Sequence, residues 1–391
     1  MDMKVLQTIQ GLASLSGGPS TCTKDLMDCL NSIDQDIKLF TLRCCNPNDS
    51  NLGQGSDWLI EWDCDYFSPL YISRNTRRFL KSSDYDLYHT NGLWMYTNHI
   101  TCRTARKKGK PYILSPHGML YSNALKIKPY RKKLMLKLWF NEDVHRADCL
   151  HATCLQEMQH IRKYGYKGPI AVIPNPVIIP EGVALKGVDY ESQNNGKIQL
   201  GILARLNPIK KIENLIMAAA KVIKGDYRDD IEIVIMGKGN DDYEKYLREL
   251  SESLEIADNV KFLGFVNGKR KYDQLSRLRA LFVPSESENF GMIVPEALIC
   301  GTPVYASLGT PWEELNTHNC GWWRENSDES IANVIREVIN LSIDKLLEMG
   351  HNGRKLIEKS YGQDMVAHKM LNLYEWILSN KTTSKPLFIY E

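Results

Sequence analysis

Leu281-Phe282-Val283-Pro284-Ser285-Glu286-Ser287-Glu288-Asn289-Phe290-Gly291-Met292-Ile293-Val294-Pro295-Glu296 passes from an apolar run through a polar loop into a helix. Leu281–Val283 reads as a buried strand, and proline is best tolerated in a helix's first turn, so Pro295 marks a helix start. Glu288 is then expected in the loop above the sheet, and Glu296 on the opening turn, both facing one crevice. In an α/β sheet, ligands collect where strand carboxyl ends meet helix amino ends. There one carboxylate can accept hydrogen bonds from sugar hydroxyls and the other from a ribose, while the amides of Asn289–Ile293 offer an anion site to a phosphate. The flanking Asn289, Phe290 and Gly291 argue against an incidental surface pair of glutamates.

Outward from this stretch, the second half alternates strands at Gln199–Leu203, Ile231–Met236, Val260–Phe262, Leu281–Val283 and Val304–Ala306 with amphipathic helices. The first strand is followed by Ala204-Arg205-Leu206-Asn207-Pro208-Ile209-Lys210-Lys211, which puts Arg205 and Lys210 at a strand mouth, where two cations suit a diphosphate. In isolation, a solvated strand-to-helix loop is the better account of them. The first half shows the same alternation, with strands expected at Lys4–Ile9, Ile37–Leu42, Leu87–His89, Tyr112–Ser115, Cys149–Ala152 and Ile170–Ile173; Cys44–Trp62 lacks a clear period and reads as a loop. Periodicity lapses where Pro174, Pro176 and Pro180 cluster. The expected fold class is α/β, with two doubly wound Rossmann-like domains. The expected divisions are an N-terminal domain at 1–175, a linker at 176–196, a C-terminal domain at 197–362 and a closing helical segment at 363–391.

In the first half, Gly17 and Gly18 follow the first strand, and the absence of a Cβ lets backbone amides approach a bound group closely. An ordinary tight turn accounts for them nearly as well. His117 ends a strand, where an imidazole could bond to a substrate hydroxyl or phosphate. His89, Asn91 and Trp94 end another and are expected to help line an acceptor pocket.

Composition narrows the function classes. The chain of 391 residues is 43% hydrophobic and 25% charged, ordinary for a globular protein of about two domains. No run of about 18 apolar residues occurs and no leader pattern precedes the first strand, so a soluble, non-secreted protein is expected. The ten cysteines include no Cys-x-x-Cys, which favours reduced thiols over a metal or redox site. Met236-Gly237-Lys238-Gly239-Asn240 lacks the third glycine of a dinucleotide fingerprint, and no P-loop is present. Asp-x-Asp occurs at Asp34/Asp36, Asp63/Asp65 and Asp84/Asp86, close to what composition gives by chance, so no metal site is inferred. Charge is uneven: the net is +2, but eleven of the 49 basic residues lie between Arg103 and Asn141 with no acidic residue among them, leaving 38 against 47 elsewhere. Within that basic segment Lys126, Lys128, Arg131, Lys132, Lys133 and Lys137 are interleaved with apolar and aromatic side chains, a pattern suited to an anionic membrane surface.

Taken together, Ser16-Gly17-Gly18-Pro19, Leu114-Ser115-Pro116-His117-Gly118-Met119-Leu120, Ile173-Pro174-Asn175, Ala204-Arg205-Leu206 with Lys210, and Glu288-Asn289-Phe290-Gly291 with Glu296 resemble the family 4 retaining glycosyltransferases. The last is similar to the family's Glu-x7-Glu motif. Leu150-His151-Ala152-Thr153, Gly309-Thr310-Pro311-Trp312 and Gly321-Trp322-Trp323 look like the branch that builds bacterial capsule, O-antigen or exopolysaccharide. The resemblance implies a GT-B fold, with the two domains facing across a cleft, the N-terminal one binding the acceptor and the C-terminal one the nucleotide-sugar, and with the closing segment crossing back to the N-terminal domain. It implies that Arg205 and Lys210 hold the donor diphosphate, that Glu296 contacts the ribose and that Glu288 orients the donor sugar. His117 would lie near the transferred sugar, and Gly17 and Gly18 in a loop closing on donor and acceptor. No cofactor or metal is expected, since the nucleotide-sugar is a substrate. The partners implied are that donor, a polyprenyl-diphosphate-linked saccharide and an anionic membrane surface, at the inner face of the cytoplasmic membrane, and not nucleic acid. A sugar-nucleotide epimerase of the same fold and a non-catalytic subunit of a polysaccharide assembly complex are the competing classes. Two departures from the family pattern are Pro176 after Asn175 and Lys211 after Lys210, where glycine is common.

Overall fold

Apolar runs flanked by turn residues become strands throughout the computed structural model, which describes residues 3–13, 18–33, 36–44, 49–66, 71–188, 196–224 and 230–391. In chain order the described strands are β1 Val5–Ile9, β2 Ile37–Leu42, β3 Leu59–Trp62, β4 Leu87–Asn91, β5 Tyr112–Ser115, β6 Cys149–Ala152, β7 Ile170–Val172, β8 Ile198–Leu203, β9 Ile231–Met236, β10 Val260–Gly264, β11 Ala280–Val283, β12 Val304–Ser307, β13 Gly321–Arg324 and β14 Ile389–Tyr390. They form two sheets, ordered β3-β2-β1-β4-β5-β6-β7-β14 and β10-β9-β8-β11-β12-β13. All neighbours are parallel except β14, which returns antiparallel to β7. Each sheet thus has the strand order 3-2-1-4-5-6 of a doubly wound fold. The central strands β1, β4 and β11 are buried along their whole length, as expected of parallel strands covered on both faces.

The chain divides into two compact units, Met1–Ile178 with Tyr361–Glu391, and Ile179–Ser360. In the first, the helix Gln363–Leu378 buries Val366, Met370, Leu373 and Tyr374 in one cluster with Leu26, Met27, Leu30 and Ile113. Each large aliphatic side chain so buried contributes about 1.5–3 kcal/mol. In the second, Leu215, Ile216 and Ala219 of the helix Ile212–Ile223 cluster with Ile331, Val334 and Ile335 of the helix Asp328–Asn340.

Four features depart from the sequence reading. The described part of the expected linker is packed on ordered elements: Val177 pairs with Gly362, while the Lys186 amide donates to the Cys300 carbonyl at 3.1 Å. The Lys186 ammonium donates to the Leu278 carbonyl, and burial pulls its pKa down to about 7. β3 forms within the stretch expected to be a loop; its residues are only half-buried at the edge of the parallel strands, so no apolar period marks it. β13, with its adjacent tryptophans, also lacks alternation. Finally, Cys64 is disulfide-bonded, against the expectation of reduced thiols throughout.

Candidate active site

Strand order reverses between β1 and β4 in the first sheet and between β8 and β11 in the second, so the loops leaving those carboxyl ends are neighbours. In the second unit this joins two segments far apart in sequence. Asn207 caps the short turn Pro208–Lys210, its side chain accepting from the Ile209 amide at 3.2 Å, and the Glu286 amide donates to the Ile209 carbonyl at 2.8 Å. Lys210 Nζ consequently sits 2.5 Å from Glu288 Oε1, which also accepts from Ser285 Oγ at 2.7 Å. Arg205 is exposed two residues beyond β8 and makes no ion pair among the described residues.

Glu296 lies in the first turn of the helix Ile293–Ile299, as its distance from Pro295 requires. Its partner is Lys271, at 2.7 Å, on the helix Gly268–Arg277. Burial raises the Glu296 pKa and the Lys271 ammonium opposes that rise. Sequence reasoning missed Lys271, because it sits on an ordinary amphipathic helix in a basic run. Between the two glutamates, Phe290 is buried edge-on against Trp312, whose indole donates to the Phe290 carbonyl at 2.5 Å, so its side chain anchors the loop. Gly291 has φ +76°, a conformation that L side chains rarely adopt, which explains glycine there. Asn289 is half-buried in the same loop.

Lys211, where the family resemblance leads to an expectation of glycine, has φ +52°. A left-handed L-residue costs roughly 1–2 kcal/mol, part of which glycine gives back through its larger unfolded-state entropy. Lys211→Gly is therefore expected to stabilise the protein by about 0.5–1 kcal/mol, read as a higher urea midpoint at unchanged slope. A lower midpoint would mean that the Lys211 ammonium, 3.8 Å from both Glu213 and Glu286, matters more than the backbone.

In the first unit the loop after β5 carries His117 at φ +50°, followed by Gly118 at φ +76°. Glu157, buried at the start of the helix Leu155–Tyr164, braces this turn by accepting from the Gly118 amide at 2.5 Å and from the Thr153 amide at 2.8 Å. His117 is half-buried, with Nε2 3.2 Å from Asn91 Oδ1; burial and the neighbouring His151 ring hold its pKa down to about 3. The imidazole is therefore neutral. Gly18 opens the helix Gly18–Asn31, and a Cβ built there meets nothing within 4 Å; Gly17 lies outside the described residues.

The expectations for His89 and Asn91 on the acceptor side need correction. His89 is fully buried, with Nδ1 2.8 Å from Tyr374 Oη and Nε2 2.6 Å from Ser115 Oγ, so both nitrogens are occupied inside the sheet layer and neither reaches an acceptor. Asn91 is 4% exposed and likewise engaged, through Nδ2 to Gln7 Oε1 at 2.9 Å. Trp94 is half-buried with φ +72°, edge-on to Phe140.

The basic segment forms a helix Pro129–Met135 that continues through a π turn, Leu136–Phe140, into Asn141–His145. Lys126, Lys128, Arg131, Lys133 and Lys137 are exposed. Lys132 is the exception: its ammonium donates to the Ala124 carbonyl at 2.6 Å and lies 5.3 Å above the Trp94 ring, so it serves the fold rather than the surface. Ile127, Tyr130, Leu134 and Leu138 are exposed alongside the cations.

Residues 16–179 match the family described as Glycosyltransferase Family 4, and residues 190–356 match the one described as Glycosyl transferases group 1. An uncharacterized glycosyltransferase of Methanocaldococcus jannaschii is 31% identical over 176 residues, 44% of this chain and 43% of its own length. A GDP-mannose-dependent monoacylated alpha-(1-6)-phosphatidylinositol monomannoside mannosyltransferase of Corynebacterium glutamicum is 28% identical over 180 residues, 44% of this chain and 45% of its own. The chain thus spans less than half the length of these curated relatives. Among solved structures, Anabaena Alr3699/HepE in complex with UDP and glucose superposes with a TM-score of 0.73 at 18% identity, over 95% of this chain and 99% of that one. The fold is GT-B. The chain belongs to the family 4 glycosyltransferases.

Proposed function

We propose that the protein transfers a hexose-type sugar, with retention of configuration, from a UDP- or GDP-sugar to a sugar acceptor carried on a polyprenyl-diphosphate lipid, in the synthesis of a bacterial surface polysaccharide. The observation that carries this reading is the Lys210–Glu288 pair at the strand-order reversal of the second sheet, beside exposed Arg205. Binding of UDP in the Anabaena protein and use of GDP-mannose by the Corynebacterium enzyme support the donor class.

In the reaction the anomeric C–O bond breaks and its electron pair leaves with the nucleotide diphosphate. An acceptor hydroxyl forms the new bond on the same face, and its proton passes to the departing phosphate oxygen. Arg205 and Lys210 neutralise the charge that develops on the diphosphate, the largest demand in such a step. Glu288 then accepts from a donor-sugar hydroxyl, and Glu296, whose burial-raised pKa the Lys271 ammonium opposes, accepts from the ribose. Because two side-chain cations meet the diphosphate, no metal is required.

A thermal-shift series with UDP, GDP, ADP and their sugar conjugates tests the proposal. A cognate donor at 100 times its dissociation constant adds about 2.7 kcal/mol of stability. The shift is expected to be undiminished by EDTA and to vanish in the Arg205→Ala, Lys210→Ala double variant. Absence of a shift with every nucleotide-sugar, or a shift that returns only with magnesium or manganese, overturns the donor site or its metal independence respectively.

The exposed cations and apolar side chains around Pro129–Phe140 fit an anionic leaflet, where a lipid-linked acceptor would reside. Among the described residues no helix is long and apolar enough to cross a membrane.

A further inference from the structure

Eight residues of the first unit form one buried hydrogen-bonded chain ending at His117. His151 Nε2 lies 2.8 Å from the Ile173 carbonyl and Nδ1 2.8 Å from Ser115 Oγ. Ser115 Oγ meets His89 Nε2 at 2.6 Å, and His89 Nδ1 meets Tyr374 Oη at 2.8 Å. Tyr374 Oη meets Gln7 Nε2 at 2.9 Å, Gln7 Oε1 meets Asn91 Nδ2 at 2.9 Å, and Asn91 Oδ1 meets His117 Nε2 at 3.2 Å. Gln7, His89, Asn91, Ser115, His151 and Tyr374 are all at most 4% exposed.

The direction of every bond follows from one end. Burial holds His89 well below its ordinary pKa and His151 down to about 4, so each ring is neutral with a single N–H. A carbonyl can only accept, so the His151 proton is on Nε2 and Nδ1 accepts from the Ser115 hydroxyl. Ser115 has no second proton, so it accepts from His89 Nε2–H, and His89 Nδ1 accepts from the Tyr374 hydroxyl. The phenol oxygen then accepts from Gln7 Nε2, which turns Gln7 Oε1 towards Asn91 Nδ2 and leaves Asn91 Oδ1 to accept from His117.

We infer that Tyr374 and Gln7 are positioning residues that, through Asn91, fix His117 in the Nε2–H tautomer and leave Nδ1 as a hydrogen-bond acceptor. A ring so held recognises a donor such as a sugar hydroxyl and rejects a phosphate oxygen, which can only accept. The consequence for sugar recognition rests on the proposed transferase reading; the tautomer does not. The residue that sets it comes from the closing helix Gln363–Leu378, 367 positions from Gln7, so the returning chain supplies part of the site's chemistry as well as packing.

Two-bond proton–nitrogen correlation spectra of the free, ¹⁵N-histidine-labelled full chain separate protonated from bare ring nitrogens, with His117→Gln identifying the resonance among nine histidines. The wild type is expected to show His117 with a protonated Nε2 and a bare Nδ1. Tyr374→Phe and Ser115→Ala each cut the chain from its anchoring carbonyl, so either is expected to give a mixture of tautomers. Either variant alone suffices should the other fail to fold. Asn91→Asp supplies an acceptor independent of the chain, so the Asn91→Asp, Tyr374→Phe double variant, measured at alkaline pH where the ring is neutral, is expected to restore the single tautomer. In turnover, Tyr374→Phe should lower kcat/KM for the sugar donor about fivefold, the worth of one neutral hydrogen bond, with affinity for the free nucleotide diphosphate unchanged. A wild-type ring protonated on Nδ1, or a single Nε2–H tautomer persisting in any chain-cutting variant that folds, overturns the inference and leaves the transferase reading standing. The expected spectra with no sugar transfer to any acceptor would overturn that reading and keep the tautomer.

Discussion

Glu288→Gln is expected to slow sugar transfer by roughly 10²–10³ while the protein remains folded, since removing one group that stabilises the transition state has about that effect. The substitution is close to isosteric. The amide oxygen can still accept from Ser285 Oγ, now 2.7 Å from the carboxylate, so the loop keeps its internal bond. What disappears is the charge opposite Lys210, at 2.5 Å. A partly exposed ion pair contributes only about 0–1 kcal/mol, too little to threaten the fold. The expected effect is therefore in the chemistry: a neutral amide cannot hold Lys210 in place for the diphosphate, and it accepts a sugar hydroxyl less strongly than a carboxylate does. Initial rates of transfer, with circular dichroism as the folding control, check this. Wild-type turnover would remove Glu288 from the site, and a collapsed spectrum would mean that the loop depends on the charge.

Much of this arrangement was legible because parallel α/β architecture ties chemistry to position. Apolar runs marked β1, β2 and β4 to β12, and the residues just beyond β5, β8 and β11 include His117, Lys210 and Glu288. What stayed hidden depends on side chains brought together by tertiary packing. Lys271 reaches Glu296 from a helix whose sequence differs in no way from a solvated one. His89 ends an expected strand as a ligand would, yet Tyr374 of the closing helix packs on it, so a residue expected to help line an acceptor pocket is buried. Gln7 and Tyr374 look like incidental polar residues in apolar elements, and only their juxtaposition shows that neither is a bystander. Lys132 is indistinguishable from its neighbours in a charge run, and its inward turn is set by the position of Trp94. The edge strands β3, β13 and β14 were missed because short or half-buried edges lack the alternation or continuous apolar run that marks inner strands.

The other large effect is expected at the membrane. Lys126, Lys133 and Lys137 are exposed on or beside a helix that also exposes Tyr130 at 89%, Leu134 at 58% and Leu138 at 60%. The last three recur every four residues, so they share one face of the helix. Soluble surfaces rarely line up large apolar groups in this way, whereas an interfacial helix needs both the apolar stripe and flanking cations. Each Lys near an anionic leaflet contributes about 1 kcal/mol, so replacing Lys126, Lys133 and Lys137 by Glu forfeits about 3 kcal/mol of attraction, more than a hundredfold in affinity, before any repulsion is counted. Lys132 is left intact because its substitution would unseat Trp94 and confuse a surface effect with a folding one. Co-sedimentation with vesicles containing anionic lipid is expected to fall steeply with rising salt and to be lost in the triple variant. Tyr130→Ser with Leu134→Ser should weaken binding at every salt concentration, because burial of apolar area is not screened. Equal, weak binding to neutral and anionic vesicles at low salt would overturn the membrane role, and retention of binding by the triple variant would place the contact on another face.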